Sequence, residues 1–122
     1  MHRGTFAFLQ ELAVEGETSV RVRGDCMNPQ VVEGGKVQVR ARRFYLPGDV
    51  LVFRTPAGDL AVHRVLGWRP DGLVTRGDRC SGHDATVTRE AIVGAVRTRI
   101  PFRTRLRALA SLLGIVVRRA LR

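Results

Sequence analysis

The chain contains few of the residues that build disulfide scaffolds or nucleic-acid stacking surfaces. In 122 residues there are two cysteines, Cys26 and Cys80, and one lysine, Lys36, and aromatic residues make up only 6%. A chain of this length can bury a core without a disulfide framework or a structural metal. Because no aromatic motif accompanies the basic residues, binding of nucleic acid is disfavoured.

Long apolar runs are also missing. The longest, residues 109–117, is about half of the roughly 18 residues that a membrane-spanning helix needs. Residues 1–16 contain acids and no continuous apolar core, so we expect no secretory leader. The low cysteine count fits a reducing compartment. The sequence therefore favours the cytoplasm, with a membrane-peripheral location as the alternative.

Positive charge is concentrated at one end of the chain. The formal net charge is +10, but residues 97–122 hold eight arginines and no acid, while residues 1–96 hold 13 basic and 11 acidic residues. Apolar residues in this basic segment recur at helical spacing. They are Leu106, Leu109, Ala110, Leu113, Val117 and Leu121. We predict a domain over residues 1–100 and an amphipathic helix over 101–122, which either lies on an anionic membrane surface or covers an open face of the sheet.

The remaining pattern predicts a mainly β domain. Residues 5–14 place Phe6, Leu9 and Ala13 on one helical stripe, which predicts a short N-terminal helix. From Ser19 onward the apolar period changes to two, in short runs separated by Gly, Pro and Asp clusters. These runs are residues 19–23, 37–40, 50–53, 60–66, 73–76 and 92–97. The pattern favours a small antiparallel sheet or partly closed barrel.

The segment GDCMNP, residues 24–29, is the first that could carry chemistry. It follows a predicted strand and places the Cys26 thiol in a glycine-flanked turn. Met27 and Pro29 would shape this turn so that backbone amides face a developing oxyanion. A lone cysteine in a turn is more often a small buried side chain than a nucleophile. The segment alone therefore leaves both interpretations open.

Further motifs follow this segment in a fixed order. They are LPGDVLVF at 46–53, LAVHRVLG at 60–67, LVTRGDRCSGHD at 73–84 and IVGAV at 92–96. In content, order and spacing they resemble the superfamily of signal peptidases and self-cleaving SOS repressors, from about Val20 to Arg97. The family pattern is Gly-x-Ser-Met-x-Pro, then Gly-Asp-Val, then a strand that carries the base before an arginine, then a Gly-Asp loop. The resemblance implies the signal peptidase-like fold.

The resemblance also implies the residues of the site. Archaeal and endoplasmic-reticulum signal peptidases carry a histidine base in a His-Arg-Val context, as at His63 here, and Cys26 takes the place of the family's serine. Lys36 is too close to Cys26 in sequence to match the lysine base of the other branch. In the histidine branch an acid orients the base. Asp84 is the first choice for this orienting acid, and Asp78 is the second. The alternative for Asp78 is that Gly77 and Asp78 simply form a turn.

The implied activity is that of an endopeptidase that cleaves an extended, leader-type peptide without a cofactor. The peptide would lie along the strand that leads to Cys26, in contact with Val20, Val22, Gly24, Asp25 and Met27. Loss of the serine is also what an inactive relative that binds peptides or docks a partner would show. A zinc site formed by Cys26, His63, Cys80 and His83 is a third, weaker alternative, because the two halves lack paired spacing.

Overall fold

The fold is given by a computed structural model that describes residues 3–21, 35–78 and 84–121, without the side chain of Asp84. Within these ranges the chain forms helices at both ends and strands between them. In chain order the elements are α1 (Arg3–Glu15), β1 (Thr18–Arg21), β2 (Lys36–Arg40), β3 (Val50–Arg54), β4 (Leu60–Arg69), β5 (Gly72–Arg76), β6 (Asp84–Val87), a 3-10 turn (Arg89–Ala91), β7 (Ile92–Val96) and α2 (Phe102–Ala120).

The strands form one antiparallel sheet in the order β1-β2-β7-β3-β4-β5-β6. In the described ranges the sheet does not close, so β1 and β6 are its edges. The expected mainly β architecture with a helix at each end is confirmed, in the form of an open sheet. Strand β6 was not predicted, because residues 77–83 before it are polar and its own apolar residues are only Ala85 and Val87.

Both faces of the sheet carry buried apolar clusters, because successive residues of a strand point to opposite sides and both sets are apolar here. In β3, Val52 packs in a cluster with Phe6 and Ala13 of α1. Its neighbours Leu51 and Phe53 pack in a separate cluster on the other face. The N-terminal helix predicted from its apolar stripe therefore covers one face of the central strands, while the second cluster occupies the opposite face.

Helix α2 packs against β4. Its buried residues Ala108 and Ile115 form a third cluster with Leu66 and Val74 of the sheet. The helix lies so close to the strand that a Cβ at Gly67 would overlap the Leu112 side chain. In the described ranges, no helix has the length and apolarity needed to cross a membrane.

A tight turn before β3 connects α2 to the sheet. The Asp49 N–H donates to the Leu46 carbonyl oxygen at 3.0 Å, and the Leu46 N–H donates to Asp49 Oδ2 at 2.8 Å. Gly48 has φ +97°, and a Cβ there would lie 2.9 Å from Arg105 Cγ. Glycine is required here both by the backbone conformation and by the close approach of the helix.

Candidate active site

His63 lies in the middle of β4, a central strand paired with β3 on one side and β5 on the other. It is opposite Leu51 in the register with β3. The side chain is half-buried, and its ring meets the Phe53 ring edge to face, with centroids 5.2 Å apart and planes at 69°. The sheet therefore holds the imidazole in a fixed orientation against an aromatic wall.

The Nδ1 atom of His63 is hydrogen-bonded to the hydroxyl of Thr75 in β5, at 3.2 Å. The same hydroxyl donates to the carbonyl oxygen of Ala85 in β6, also at 3.2 Å. A hydroxyl has one proton to donate, so toward His63 it acts as the acceptor and Nδ1 carries the proton. In the neutral ring Nε2 then holds the lone pair, which is the form that a general base requires.

Burial lowers the pKa of His63 from its ordinary value of 6.5. The cause is desolvation, which penalises the charged imidazolium. Near neutral pH the ring is therefore uncharged and able to accept a proton. The hydrogen bond to Thr75 sets the tautomer, and burial sets the protonation state.

Arg64 follows His63 and points to the opposite face of the strand. Its Nε and Nη2 atoms donate to the two carboxylate oxygens of Asp78, at 2.9 Å and 2.7 Å, and its Nη1 donates to the Gly48 carbonyl oxygen at 2.7 Å. The Arg64 side chain is only 9% exposed, against 36% for Asp78. The structure thus places Asp78 on Arg64, across the strand from the His63 ring.

The first choice for the orienting acid, Asp84, begins β6, where its backbone is paired with Arg76. It directly precedes Ala85, the residue that accepts the Thr75 hydrogen bond. Its side chain is outside the described part of the chain. In the described part, the group on Nδ1 is therefore a hydroxyl rather than a carboxylate.

The predicted nucleophile and most of the predicted peptide contacts lie outside the described residues. These are Cys26, Val22, Gly24, Asp25 and Met27, and the same holds for the zinc candidates Cys80 and His83. Val20 is described: it lies in edge strand β1, opposite Val37, and its side chain is buried in the cluster with α1. A peptide beside β1 would therefore meet the Val20 main chain rather than its side chain.

A cavity of about 630 Å³ is lined by neighbours of His63 and Thr75 but by neither of these two residues. Its walls include Phe53, which touches the imidazole, and Ala85, which accepts the Thr75 hydroxyl. Edge strand β6 contributes Thr86 and Val87 to the same wall. The volume is within the range of about 300–1,000 Å³ that small-ligand sites occupy.

Neither known protein families nor curated proteins match the chain in sequence.

Thr75 is the residue of the candidate site that the sequence did not predict. It is opposite Val65 in the β4–β5 register, which makes it a diagonal neighbour of His63 on the same face. It is also completely buried. The available signal was a threonine directly after two apolar residues in the strand LVTR, since a buried hydroxyl needs a polar partner.

Proposed function

We propose that the chain is a signal peptidase-like endopeptidase in which Cys26 is the nucleophile and His63 is the general base. The observation that carries the proposal is the state of the His63 ring. Its Nδ1 lies 3.2 Å from the Thr75 hydroxyl oxygen and donates to it, burial lowers its pKa, and Nε2 keeps its lone pair. A histidine prepared in this way supports proton transfer from a thiol.

In the proposed reaction, Nε2 of His63 takes the thiol proton, and the Cys26 sulfur attacks the scissile carbonyl carbon. The new C–S bond forms a tetrahedral intermediate, which backbone amides of residues 24–29 would stabilise if this segment forms the turn that the sequence predicts. The intermediate collapses as the C–N bond breaks and the imidazolium returns its proton to the leaving amine. Water, deprotonated by His63, then hydrolyses the thioester and regenerates the thiol.

The substrate that fits this proposal is an extended peptide segment of the leader type. Strand β1 is at the edge of the sheet, and it leads toward Cys26 in the sequence. A peptide can add to such an edge through main-chain hydrogen bonds, while shallow pockets select its side chains. The buried Val20 side chain supports recognition through the backbone at this position.

The proposal is tested by digesting a mixed library of synthetic peptides and identifying products by mass spectrometry. We expect cleavage by the wild type, loss of cleavage in Cys26→Ala and a reduction of about 100-fold or more in His63→Gln. Cys80→Ala is the matched control, because it removes the other thiol and should retain activity. A covalent thioester adduct on Cys26 would identify the nucleophile directly. Cleavage that survives Cys26→Ala would overturn the assignment.

The rival function is a peptide-binding module with an inactive site. The observation that favours it is the hydroxyl on Nδ1, because Thr75 stabilises an imidazolium less than a carboxylate would. In that case library peptides bind without cleavage, and Cys26→Ala binds as well as the wild type. Binding measured by fluorescence anisotropy on the same peptides separates the two functions.

A further inference from the structure

Helix α2 is held on the sheet in a fixed rotation. Arg105 Nη1 donates to Asp49 Oδ1 and to the Pro47 carbonyl oxygen, both at 3.0 Å. Asp49 is only 2% exposed, so this ion pair lies inside the interface between helix and turn. Together with the buried Ala108 and Ile115, it determines which side of the helix faces away from the protein.

The side that faces away is apolar. Its large side chains are between 43% and 82% exposed, and they recur at intervals of three and four residues, as one face of a helix requires. We call this set the outer stripe. It consists of Phe102, Leu106, Leu109, Leu113, Val116, Val117 and Leu121. An apolar surface that follows the whole length of a helix is more than scattered surface exposure, and it indicates an interaction site.

The charges around the outer stripe indicate what it binds. Arg103 and Arg107 flank its beginning and Arg118 and Arg119 its end, and residues 97–122 contain no acid. If two copies of the chain paired stripe to stripe, these arginines would face each other without a carboxylate from either helix between them. An anionic bilayer offers both an apolar layer for the stripe and phosphates for the guanidinium groups.

We propose that α2 docks this protein in the plane of an anionic membrane surface. The outer stripe enters the boundary between headgroups and acyl chains, and the flanking arginines contact lipid phosphates. The opposite side of the same helix stays on β4 through Ala108, Ile115 and the Arg105–Asp49 pair. The domain is thereby held at the surface in one orientation. This inference is independent of the proposed peptidase activity.

The test is sedimentation of the full chain with vesicles. Vesicles of phosphatidylcholine alone are compared with vesicles of equal parts phosphatidylcholine and phosphatidylglycerol. We expect binding to the anionic vesicles that weakens with salt, and a loss of about tenfold or more in Leu109→Gln/Leu113→Gln. Arg103→Glu/Arg118→Glu should lose binding to a similar extent.

The matched control is Phe8→Gln/Val14→Gln, which removes two exposed apolar side chains from α1. It should bind as the wild type does, and thermal unfolding should show that all variants remain folded. The inference is overturned if the wild type does not bind anionic vesicles, or if Phe8→Gln/Val14→Gln loses binding as much as Leu109→Gln/Leu113→Gln does. It is also overturned if the chain forms a dimer without lipid that Leu109→Gln/Leu113→Gln dissociates, because a second copy then covers the stripe.

Discussion

The Thr75 hydroxyl lies between the His63 ring and the Ala85 carbonyl oxygen, 3.2 Å from each. Because the carbonyl can only accept, Thr75 acts as acceptor toward Nδ1 of His63. One buried side chain in β5 thus connects the predicted base in β4 to edge strand β6. In the described part of the site, the group hydrogen-bonded to Nδ1 is therefore a neutral hydroxyl.

Thr75→Val should remove the hydrogen bond that fixes the neutral His63 ring in the tautomer with its proton on Nδ1. The change keeps the shape of the side chain but removes the acceptor, so the ring should populate both tautomers. It also leaves the Ala85 carbonyl without its donor, which should lower the free energy of unfolding by about 1–3 kcal/mol. Nitrogen chemical shifts of the ring measure the tautomer, and Thr75→Ser is the control that retains the hydroxyl. Unchanged shifts in Thr75→Val would show that Thr75 does not set the tautomer.

The lowered pKa of His63 predicts how stability depends on pH. The unfolded chain binds the proton near the ordinary value of about 6.5, and the folded chain binds it only at lower pH. The stability of the fold that depends on an uncharged His63 is therefore fully present above pH 6.5. It is lost as the pH falls toward the pKa of His63 in the folded chain. Urea unfolding of Cys26→Ala and of Cys26→Ala/His63→Gln measures it, in a background where no thiolate affects the ring.

In that comparison, the chain with His63 should lose stability relative to the His63→Gln chain as the pH falls from 8 to 5. His2 and His83 are common to both and cancel in the difference. Parallel stability curves would mean that burial does not shift the pKa of His63. If the chain with His63 instead gains stability relative to the His63→Gln chain on acidification, an acid outside the described side chains raises the pKa of His63.

The Arg64–Asp78 pair predicts a structural role for Asp78. Asp78→Asn should lower the free energy of unfolding by about 1–3 kcal/mol, because it removes the counter-charge of the nearly buried Arg64 guanidinium and leaves one side-chain oxygen in place of the two that accept from it. The pKa of His63 should stay unchanged, since its ring lies on the opposite face of β4. Chemical denaturation and proton NMR titration measure the two quantities.

Asp84→Asn is the comparison for this prediction. If Asp84 orients the base, its replacement should lower the pKa of His63 further, while stability changes little. If instead Asp78→Asn shifts the pKa of His63 as much as Asp84→Asn does, Asp78 acts on the base and the structural assignment is incorrect.

The Arg105–Asp49 pair predicts that α2 is part of the folded domain. Arg105→Met should lower the free energy of unfolding by about 3 kcal/mol, because it leaves the buried Asp49 carboxylate without its counter-charge. Adding Asp49→Asn should recover part of this loss, since the asparagine oxygen can still accept from the Leu46 N–H. Urea unfolding of the single and double variants measures it. Equal stability of Arg105→Met and the wild type would make α2 a separable segment.

Much of the fold was predictable because strands and helices differ in apolar period. The alternating runs and the Phe6–Ala13 stripe gave six strands and α1 almost at their observed bounds. Strand β6 was not predictable from its own short sequence, because it forms by pairing with β5. The hydrogen bond from His63 to Thr75 depends on the β4–β5 register, which has an irregularity between Val65 and Gly67. Such a register follows from packing across the sheet and not from a local pattern.

The two sides of α2 illustrate the same limit. The sequence predicted an amphipathic helix with one apolar face and left open whether it covers the sheet or lies on a membrane. The structure shows that one side, with Ala108 and Ile115, covers β4. A different apolar set, with Leu109 and Leu113, is exposed. Helical spacing alone cannot separate two neighbouring apolar faces, because the assignment depends on which residues the sheet contacts.

The most direct test of the central claim is the rate at which iodoacetamide labels Cys26, measured by mass spectrometry from acidic to mildly basic pH. If His63 activates Cys26, the wild-type thiol should react well below its ordinary pKa of about 8.5, and His63→Gln should slow the reaction near neutral pH by about tenfold or more. Cys80 in the same molecule is the internal control and should be unaffected. Labelling of Cys26 no faster than a free thiol, and at the same rate in His63→Gln, would contradict the account.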